Sequence, residues 1–141
     1  AAELADRLGE ALASRYHTYD YLHGNEMALA LAAADLAVSR AGASTLGEFP
    51  LFALPAILVP YPHAWHYQKT SADYLAARGA AIRLDDEMLN ERLAPTIIQL
   101  LLDGDARRAM TAAAAASRRP DAAARIARML LGLAQPAGDV N

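Results

Sequence analysis

The first part of the chain combines a helical pattern of apolar residues with an extended one. Leu4, Leu8 and Leu12 lie four residues apart among alanines and charges, which predicts an amphipathic helix over residues 2–14. Residues 17–22, HTYDYL, are aromatic and β-branched in character and predict a short strand. A turn and an alanine-rich helix are expected to follow.

Three further apolar runs alternate with stretches of helical composition. The runs cover residues 36–39, 56–59 and 80–84, and the helical stretches cover residues 45–53, 66–77 and 89–102. Strands that alternate with helices indicate a parallel sheet with helices on its faces, so we expect an α/β fold with about four strands. Pro50 lies inside the first of these helices and should kink or shorten it, because proline lacks a backbone donor.

The last part of the chain has a helical pattern only. Asp105 opens one alanine-rich segment and Pro120 begins another, and we expect both helices to pack over the sheet. Residues 136–141 include proline, glycine and polar residues, which predicts a frayed tail. The chain therefore reads as one domain over residues 1–135.

The composition fits a small globular domain and argues against several classes of protein. Of the 141 residues 55% are hydrophobic, yet alanine supplies much of this fraction and no run reaches the ~18 residues of a membrane span. The absence of cysteine excludes disulfides and thiolate metal sites. Glu3 lies where a signal peptide needs basic residues, so we expect no targeting segment and a cytosolic location. The formal net charge of -3 disfavours a nucleic-acid partner.

The turns that follow the apolar runs are the places to look for chemistry, because ligands of open parallel sheets bind at the carboxyl ends of the strands. The turn after the apolar run at residues 36–39 reads RAGASTLGE. Small residues at Gly42 and Ala43 let an anion approach, Ser44 and Thr45 add hydroxyl donors, and free amides at the start of a helix favour a phosphate or pyrophosphate. Glu48 lies about one helical turn further on, where its carboxylate can accept hydrogen bonds from ribose hydroxyls.

The same segment also fits a purely structural role. Thr45 and Glu48 have the spacing of a capping box, in which the two side chains satisfy the first free amides of the helix and bind no ligand. Spacing alone favours this cap, and both interpretations stay open at this point.

The turn after the apolar run at residues 56–59 reads PYPHAWHYQ and is rich in aromatic and amide side chains. Aromatic faces together with the amide of Gln68 suit a sugar. His63 and His66 are three residues apart but have no cysteine or carboxylate neighbour, so we expect no metal site. A packed rigid loop is the alternative, and it is favoured for Trp65 and Tyr67 taken alone.

The remaining polar positions are weaker signals. Gly24 and Asn25 have the chemistry of a turn and a helix cap. Arg118 and Arg119 fit a solvated junction between two helices. Neither Ser44 nor the histidines have the partners of a nucleophile and base pair, so no catalytic residue is predicted.

Three segments together resemble the C-terminal domain of family 28 glycosyltransferases. They are ADLAVSRAGASTLGE at residues 34–48, PAILVPYPH at residues 55–63 and RPDAAARIA at residues 119–127. The resemblance covers nearly the whole chain and is most specific at residues 40–48.

This resemblance implies a GT-B enzyme of two domains. The C-terminal domain would hold a UDP-sugar donor, and the N-terminal domain would hold a lipid-linked acceptor at the inner face of the cell membrane. It further implies inverting transfer of N-acetylglucosamine from UDP-N-acetylglucosamine in peptidoglycan synthesis, without a metal or another cofactor.

The resemblance also assigns roles to individual residues. Residues 43–45 would face the diphosphate, Glu48 the ribose, the backbone near His23 and Gly24 the uracil, and Gln68 the donor sugar. The donor-binding residues that it implies are Gly24, Met27, Gly42, Ala43, Ser44, Thr45, Glu48, His63 and Gln68.

Two departures from the family pattern shape what we expect. Family members often carry acidic residues where this chain has AWHY at residues 64–67, which leaves the donor sugar open. The glycine-rich loop and first strands of the family do not precede the opening helix, so we expect part of a donor domain whose unpaired strand edge favours dimerisation or exchange of elements. The alternatives are a related family 28 transferase for glycolipids or small molecules, a donor-binding subunit, or a non-catalytic module that binds nucleotide sugars.

Overall fold

The computed structural model describes residues 10–134, which form two compact units that divide between Ala30 and Leu31. The first unit contains helix α1 (Glu10–Ala13) and most of helix α2 (Asn25–Ala33). Of the helix predicted over residues 2–14, residues 2–9 lie outside the described part of the chain.

The strand predicted at residues 17–22 is wrong, because this stretch has no regular secondary structure. Tyr19 and Tyr21 are 69% and 72% exposed. Aromatic residues favour a strand where a neighbouring strand packs beside them, and no strand of residues 10–134 pairs with this stretch.

The second unit alternates strands with helices. Its elements are β1 (Ala37–Arg40), α3 (Thr45–Leu51), β2 (Ala56–Val59), α4 (Trp65–Ala76), β3 (Ala81–Arg83), a 3₁₀ helix (Asp86–Met88), α5 (Leu89–Leu102), α6 (Gly104–Ala116) and α7 (Ala122–Ala134). The strands are parallel in the order β1-β2-β3, with Val38 paired to Ile57 and Ile57 paired to Ile82. The predicted α/β class is confirmed. The predicted count of about four strands is wrong for residues 10–134, which form three, and the predicted tail at residues 136–141 lies outside the described residues.

The central strand β2 carries the core, since all four of its residues are buried. On one face of the sheet, Leu58 joins a cluster that includes Leu75 of α4. On the other face, Ile57 joins a cluster that includes Leu100 of α5 and Met110 of α6. A strand that is covered on both faces reads as a continuous apolar run, which is why its bounds could be predicted.

The two helices at the end of the chain behave differently. Helix α6 packs on the core through Met110 and Ala114, as predicted. Every residue of α7 is exposed, including Ile126 at 59% and Leu133 at 83%, so the prediction that α7 covers the sheet is wrong. The physical reason is that the helices before α7 already cover both faces of the sheet.

Pro50 shortens α3, as predicted, so that the helix ends at Leu51 rather than at residue 53. The carbonyl oxygen of Pro50 accepts hydrogen bonds from the N–H of Ala53 at 2.9 Å and from Nε of Arg118 at 3.1 Å. Arg118 and Arg119 are exposed between residues 116 and 122, which confirms the predicted solvated junction, and the guanidinium of Arg118 also satisfies the C-terminal end of α3.

Helices α3 and α4 end in the same hydrogen-bond pattern. The N–H of Leu54 donates to the carbonyl of Phe49, and the N–H of Ala80 donates to the carbonyl of Leu75. In this motif the preceding residue adopts a left-handed conformation, which glycine does without strain. The chain places Gly79 there after α4, with φ of 73°, but Ala53 after α3, with φ of 53°.

We expect Gly79→Ala to lower the free energy of unfolding and Ala53→Gly to raise it, each by about 1 kcal/mol, because a left-handed backbone strains an L-residue by roughly that amount. A methyl group on residue 79 would lie 3.8 Å from Cβ of Ala113, an ordinary contact, so the backbone conformation rather than crowding sets the cost. Urea denaturation of both variants measures the effect. Shifts of the same sign would contradict this account.

Candidate functional site

The turns after β1, β2 and β3 lie at one edge of the sheet, because the three strands are parallel. They comprise residues 41–44, 60–64 and 84–85. This carboxyl edge is where ligands of open α/β sheets bind, and it contains most of the residues that the sequence singles out.

Thr45 closes the turn after β1 from inside the protein. It is 4% exposed, and its Oγ1 and its N–H both donate to the carbonyl oxygen of Gly42, at 2.6 and 3.1 Å. Ala43 and Ser44 are exposed, and their N–H groups donate to no other residue in the range 10–134. The turn therefore presents two unused backbone donors at the edge of the sheet.

The capping-box interpretation of Thr45 and Glu48 is wrong. Helix α3 starts at Thr45 with Ser44 as its N-cap, one residue earlier than a box led by Thr45 requires, and the Ser44 side chain makes no capping hydrogen bond. The Thr45 hydroxyl is bound to Gly42 instead. Glu48 is exposed, and within the described residues its carboxylate has no hydrogen-bond partner or ion pair. The Glu48 carboxylate is therefore available to a ligand.

Gly42 leaves open space at the same turn. A Cβ atom built on it would meet no heavy atom within 4 Å, and its φ does not lie in the left-handed region. Neither crowding nor backbone conformation within the described residues demands glycine at this position.

Gln68, on α4, holds the turn after β2. Its Oε1 accepts a hydrogen bond from the N–H of Tyr61 at 2.9 Å, while its amide nitrogen has no hydrogen-bond partner among residues 10–134. His63 is exposed in the same turn, with its ring centroid 5.5 Å from that of Tyr61. Gln68 therefore shapes the turn with its oxygen and keeps an amide donor for other partners.

Arg40 connects the turns, a role that the sequence analysis missed. From the end of β1 its guanidinium pairs with Asp86 in the 3₁₀ helix and lies 5.4 Å from the centroid of the Tyr61 ring. The apolar runs could have placed Arg40 at a strand end. No motif marks Asp86, which is 46 residues away, as its partner.

A second arginine stabilises the chain beyond β3. Arg83 donates to Asp73 of α4 at 2.7 Å and, through Nε and Nη2, to Asp85 at 2.9 and 2.6 Å. The hydrogen bond to Asp73, and after it those to Asp85, raise the pKa of Arg83 above its usual value. Arg83 thus stays charged and joins α4 to the turn after β3.

Gly24 and Met27 belong to the first unit of the chain. Gly24 has φ of 38°, which allows a tight entry into α2. The prediction that Asn25 caps α2 is wrong, since Asn25 is already helical, and the carboxylate of Glu26 accepts the N–H of His23 at 2.9 Å instead. Met27 is 41% exposed on this helix.

Comparison with known families decides what kind of domain this is. Residues 3–126 match the glycosyltransferase family 28 C-terminal domain. The chain belongs to this family. The resemblance that rests on residues 34–48, 55–63 and 119–127 is thereby confirmed.

Two curated relatives of this family 28 domain carry the same name. A protein of Roseiflexus sp. (strain RS-1) is 44% identical across 87% of this chain, and one of Mycolicibacterium smegmatis is 42% identical across 80% of it. Both are named UDP-N-acetylglucosamine--N-acetylmuramyl-(pentapeptide) pyrophosphoryl-undecaprenol N-acetylglucosamine transferase. The matched regions cover 32% and 30% of those proteins, so the chain spans about a third of the length of the relatives it matches.

A solved structure supports the same assignment. The crystal structure of Acinetobacter baumannii MurG matches 82% of this chain with a TM-score of 0.73 and 25% identity, over 35% of its own length. The predicted architecture, the later part of a GT-B donor-binding domain, is confirmed by this match.

The described part of the family 28 domain, residues 10–134, lacks two features. In that range no helix has the length and apolar character needed to cross a membrane. Over the same residues, histidine, aspartate and glutamate form no group of three that could hold a metal ion.

Proposed function

We propose that this family 28 domain binds UDP-N-acetylglucosamine and is the donor half of a glycosyltransferase. The enzyme would transfer N-acetylglucosamine with inversion to a lipid-linked muramyl-pentapeptide acceptor in peptidoglycan synthesis. The names of the relatives at 44% and 42% identity support this reaction. The match to the structure of A. baumannii MurG supports the corresponding fold.

The observation that carries the proposal is the turn between β1 and α3. Free N–H groups on Ala43 and Ser44, open space at Gly42 and an unpaired carboxylate on Glu48 lie within one short segment. Backbone N–H groups bind phosphate oxygens, and a carboxylate accepts hydrogen bonds from adjacent hydroxyls. A diphosphate next to a ribose, as in UDP, has this arrangement of acceptors and donors.

The other predicted donor residues receive roles by proposal. Gln68 on α4 would contact the sugar, and His63 in the turn after β2 would also contact the donor. Gly24 and Met27 in the first unit would contact the uracil. Thr45 holds the diphosphate turn from inside through its bonds to Gly42, so its hydroxyl acts on the shape of the turn rather than on the ligand.

The acceptor side is proposed to lie on another domain of the same enzyme. That domain would bind the lipid-linked acceptor at the inner face of the cell membrane and would supply the catalytic base. The enzyme would therefore be cytoplasmic and peripheral to the membrane. The domain described here would contribute the donor and no catalytic residue, and it would use no metal or other cofactor.

Isothermal titration with UDP, UDP-N-acetylglucosamine and ADP tests the proposal. We expect UDP and UDP-N-acetylglucosamine to bind and ADP to bind much more weakly. A panel of UDP-sugars would separate the proposed donor from that of a related family 28 transferase, an alternative that the AWHY segment at residues 64–67 keeps open. Binding without transfer in the complete enzyme would favour a non-catalytic module or a donor-binding subunit, and no binding of any uridine nucleotide would refute the proposal.

Gln68 can be tested with two variants because its amide has two functions. Gln68→Glu keeps an oxygen for the Tyr61 N–H but loses the amide donor, whereas Gln68→Ala loses both. We expect each variant to bind UDP-N-acetylglucosamine about five- to tenfold more weakly, the loss of one neutral hydrogen bond, with UDP affinity nearly unchanged for Gln68→Glu. Titration with both ligands measures the difference.

Thr70→Ala is a matched control on the same helix, because its hydroxyl donates only to the carbonyl of His66 within α4. It should leave both affinities unchanged. Equal losses of UDP and UDP-N-acetylglucosamine in Gln68→Glu would place Gln68 away from the sugar.

A further inference from the structure

The contact between Arg40 and Asp86 spans the whole width of the described sheet. Asp86 lies just beyond β3, Arg40 ends β1, and β2 lies between these two strands. Neighbouring strands are about 4.8 Å apart, so the side chains bridge about 10 Å at the carboxyl edge. The backbone hydrogen bonds of the sheet connect neighbouring strands only, and the Arg40–Asp86 pair therefore adds a link that the sheet itself does not supply.

The guanidinium of Arg40 makes two different contacts at once. Its Nη1 donates to Oδ1 of Asp86, and its Cζ lies over the Tyr61 ring, 5.4 Å from the ring centroid. A planar guanidinium can bind a carboxylate in its plane and stack on an aromatic face, which a lysine cannot do equally well. One side chain therefore connects the end of β1, the turn after β2 and the 3₁₀ helix beyond β3.

The contacts of Arg40 connect it to both turns of the proposed donor site. Tyr61 also donates its N–H to Gln68, so a continuous path runs from Asp86 through Arg40 and Tyr61 to Gln68. Arg40 itself is followed directly by the turn that contains Gly42 and the free amides. The proposed diphosphate turn and the proposed sugar turn are thus held relative to each other by the Arg40 side chain.

Stability of the fold does not account for this arrangement. The side chains of Arg40 and Asp86 are 47% and 33% exposed, and ion pairs at such positions add little to the free energy of folding. The core lies in the two apolar clusters on the faces of the sheet, which include neither residue.

We propose that Arg40 is a positioning residue, which sets the distance between the diphosphate turn and the sugar turn through Asp86 and Tyr61. This inference rests on the proposed function for the identity of the ligand. It assigns Arg40 no contact with the ligand. Small displacements of binding groups have large effects on affinity when a ligand must contact two sites at once.

A double-mutant cycle on the complete enzyme tests the proposal, with Arg40→Met, Asp86→Asn and the double variant. We expect each single variant to bind UDP-N-acetylglucosamine about tenfold more weakly, and the double variant to be no weaker than either, since all three break the same link. UDP lacks the sugar, so its affinity should depend little on the spacing of the two turns. In each variant the affinity for UDP should fall less than threefold. Tyr61→Leu should resemble Arg40→Met, and Arg40→Lys should lie between wild type and Arg40→Met.

The pair Arg108 and Asp105 is the matched control. It is an exposed pair within α6, with side chains 75% and 91% exposed, and it touches none of the three turns. Arg108→Met and Asp105→Asn should leave both affinities unchanged. The melting temperatures of the Arg40 and Asp86 variants should differ from wild type by no more than those of this control pair.

Three results would overturn the inference. Loss of affinity in Arg40→Met but not in Asp86→Asn would mean that Arg40 binds the ligand directly. Additive losses in the double variant would mean that the two residues act separately. Equal losses for UDP and UDP-N-acetylglucosamine would mean that the spacing of the two turns is not what changed.

Hydrogen exchange separates this inference from the proposed function. If wild type binds no uridine nucleotide, the proposed function fails, but the link between the turns can still be measured. Faster exchange of the hydrogen-bonded amides of residues 45, 46, 61 and 64 in both Arg40→Met and Asp86→Asn, but not in the control pair, would support the positioning role. Unchanged exchange in these amides would refute it.

Discussion

Replacement of Glu48 by alanine is expected to weaken UDP binding by about ten- to hundredfold. A carboxylate that accepts hydrogen bonds from two ribose hydroxyls contributes roughly 1.5 to 3 kcal/mol, the range for hydrogen bonds to charged groups. The structure strengthens this expectation, because Glu48 is exposed and its carboxylate is not engaged in a capping box. Isothermal titration of the complete enzyme with UDP measures the loss.

Glu91 provides a matched control for Glu48. Both are exposed acidic residues in the first turn of a helix, Glu48 in α3 and Glu91 in α5. Each alanine variant should lose the small stabilisation that a negative charge gives a helix N-terminus, about 0.3 to 1 kcal/mol. Only Glu48→Ala should lose affinity for UDP. Unchanged affinity in Glu48→Ala would remove Glu48 from the site.

Valine at Gly42 is expected to reduce UDP affinity by about tenfold or more while leaving the protein folded. The added side chain would occupy space that is open in the structure, where we place the diphosphate. Crowding of a close contact typically costs 1 to 3 kcal/mol, which corresponds to about five- to hundredfold in affinity. The melting temperature should stay near that of wild type, since φ of Gly42 lies outside the left-handed region and no heavy atom beyond the two neighbouring residues lies within 4 Å of the new Cβ.

Gly47→Ala is the control for Gly42→Val. Gly47 lies inside α3, and a Cβ there also meets nothing within 4 Å. Alanine should stabilise the helix by up to about 1 kcal/mol through its higher helix propensity and should not change UDP affinity. If Gly42→Val binds UDP as wild type does, the diphosphate does not approach this turn.

Local patterns in the sequence were sufficient for the elements that lie inside the α/β unit. The run at residues 56–59 and the helix at residues 89–102 have the predicted bounds. A central strand that is buried on both faces must be continuously apolar, and a helix on the sheet must repeat its apolar residues every three or four positions. Such patterns depend on nearest neighbours along the chain, so they can be read without a structure.

Where a sequence pattern has two physical explanations, tertiary packing decides which of them applies. The aromatic stretch at residues 17–22 has the composition of a strand but forms none, because no strand within residues 10–134 lies beside it. Thr45 has the spacing of a cap, yet it is buried and its hydroxyl binds Gly42. The helix starts at Thr45, one residue earlier than the capping box requires, so Glu48 has no capping role.

The sequence by itself determined the α/β class and the order of the elements from β1 onward, and it singled out the turn at residues 40–48 as the proposed place for a ligand, because these follow from periodicity and from small residues next to a helix start. The tertiary structure alone decided which groups in that turn are free and how the turns are tied together. Gln68 meets Tyr61, and Arg40 meets Asp86, only when the ends of parallel strands come to one edge of the sheet. Contacts between residues far apart in sequence depend on the register and order of the strands, which no local pattern contains.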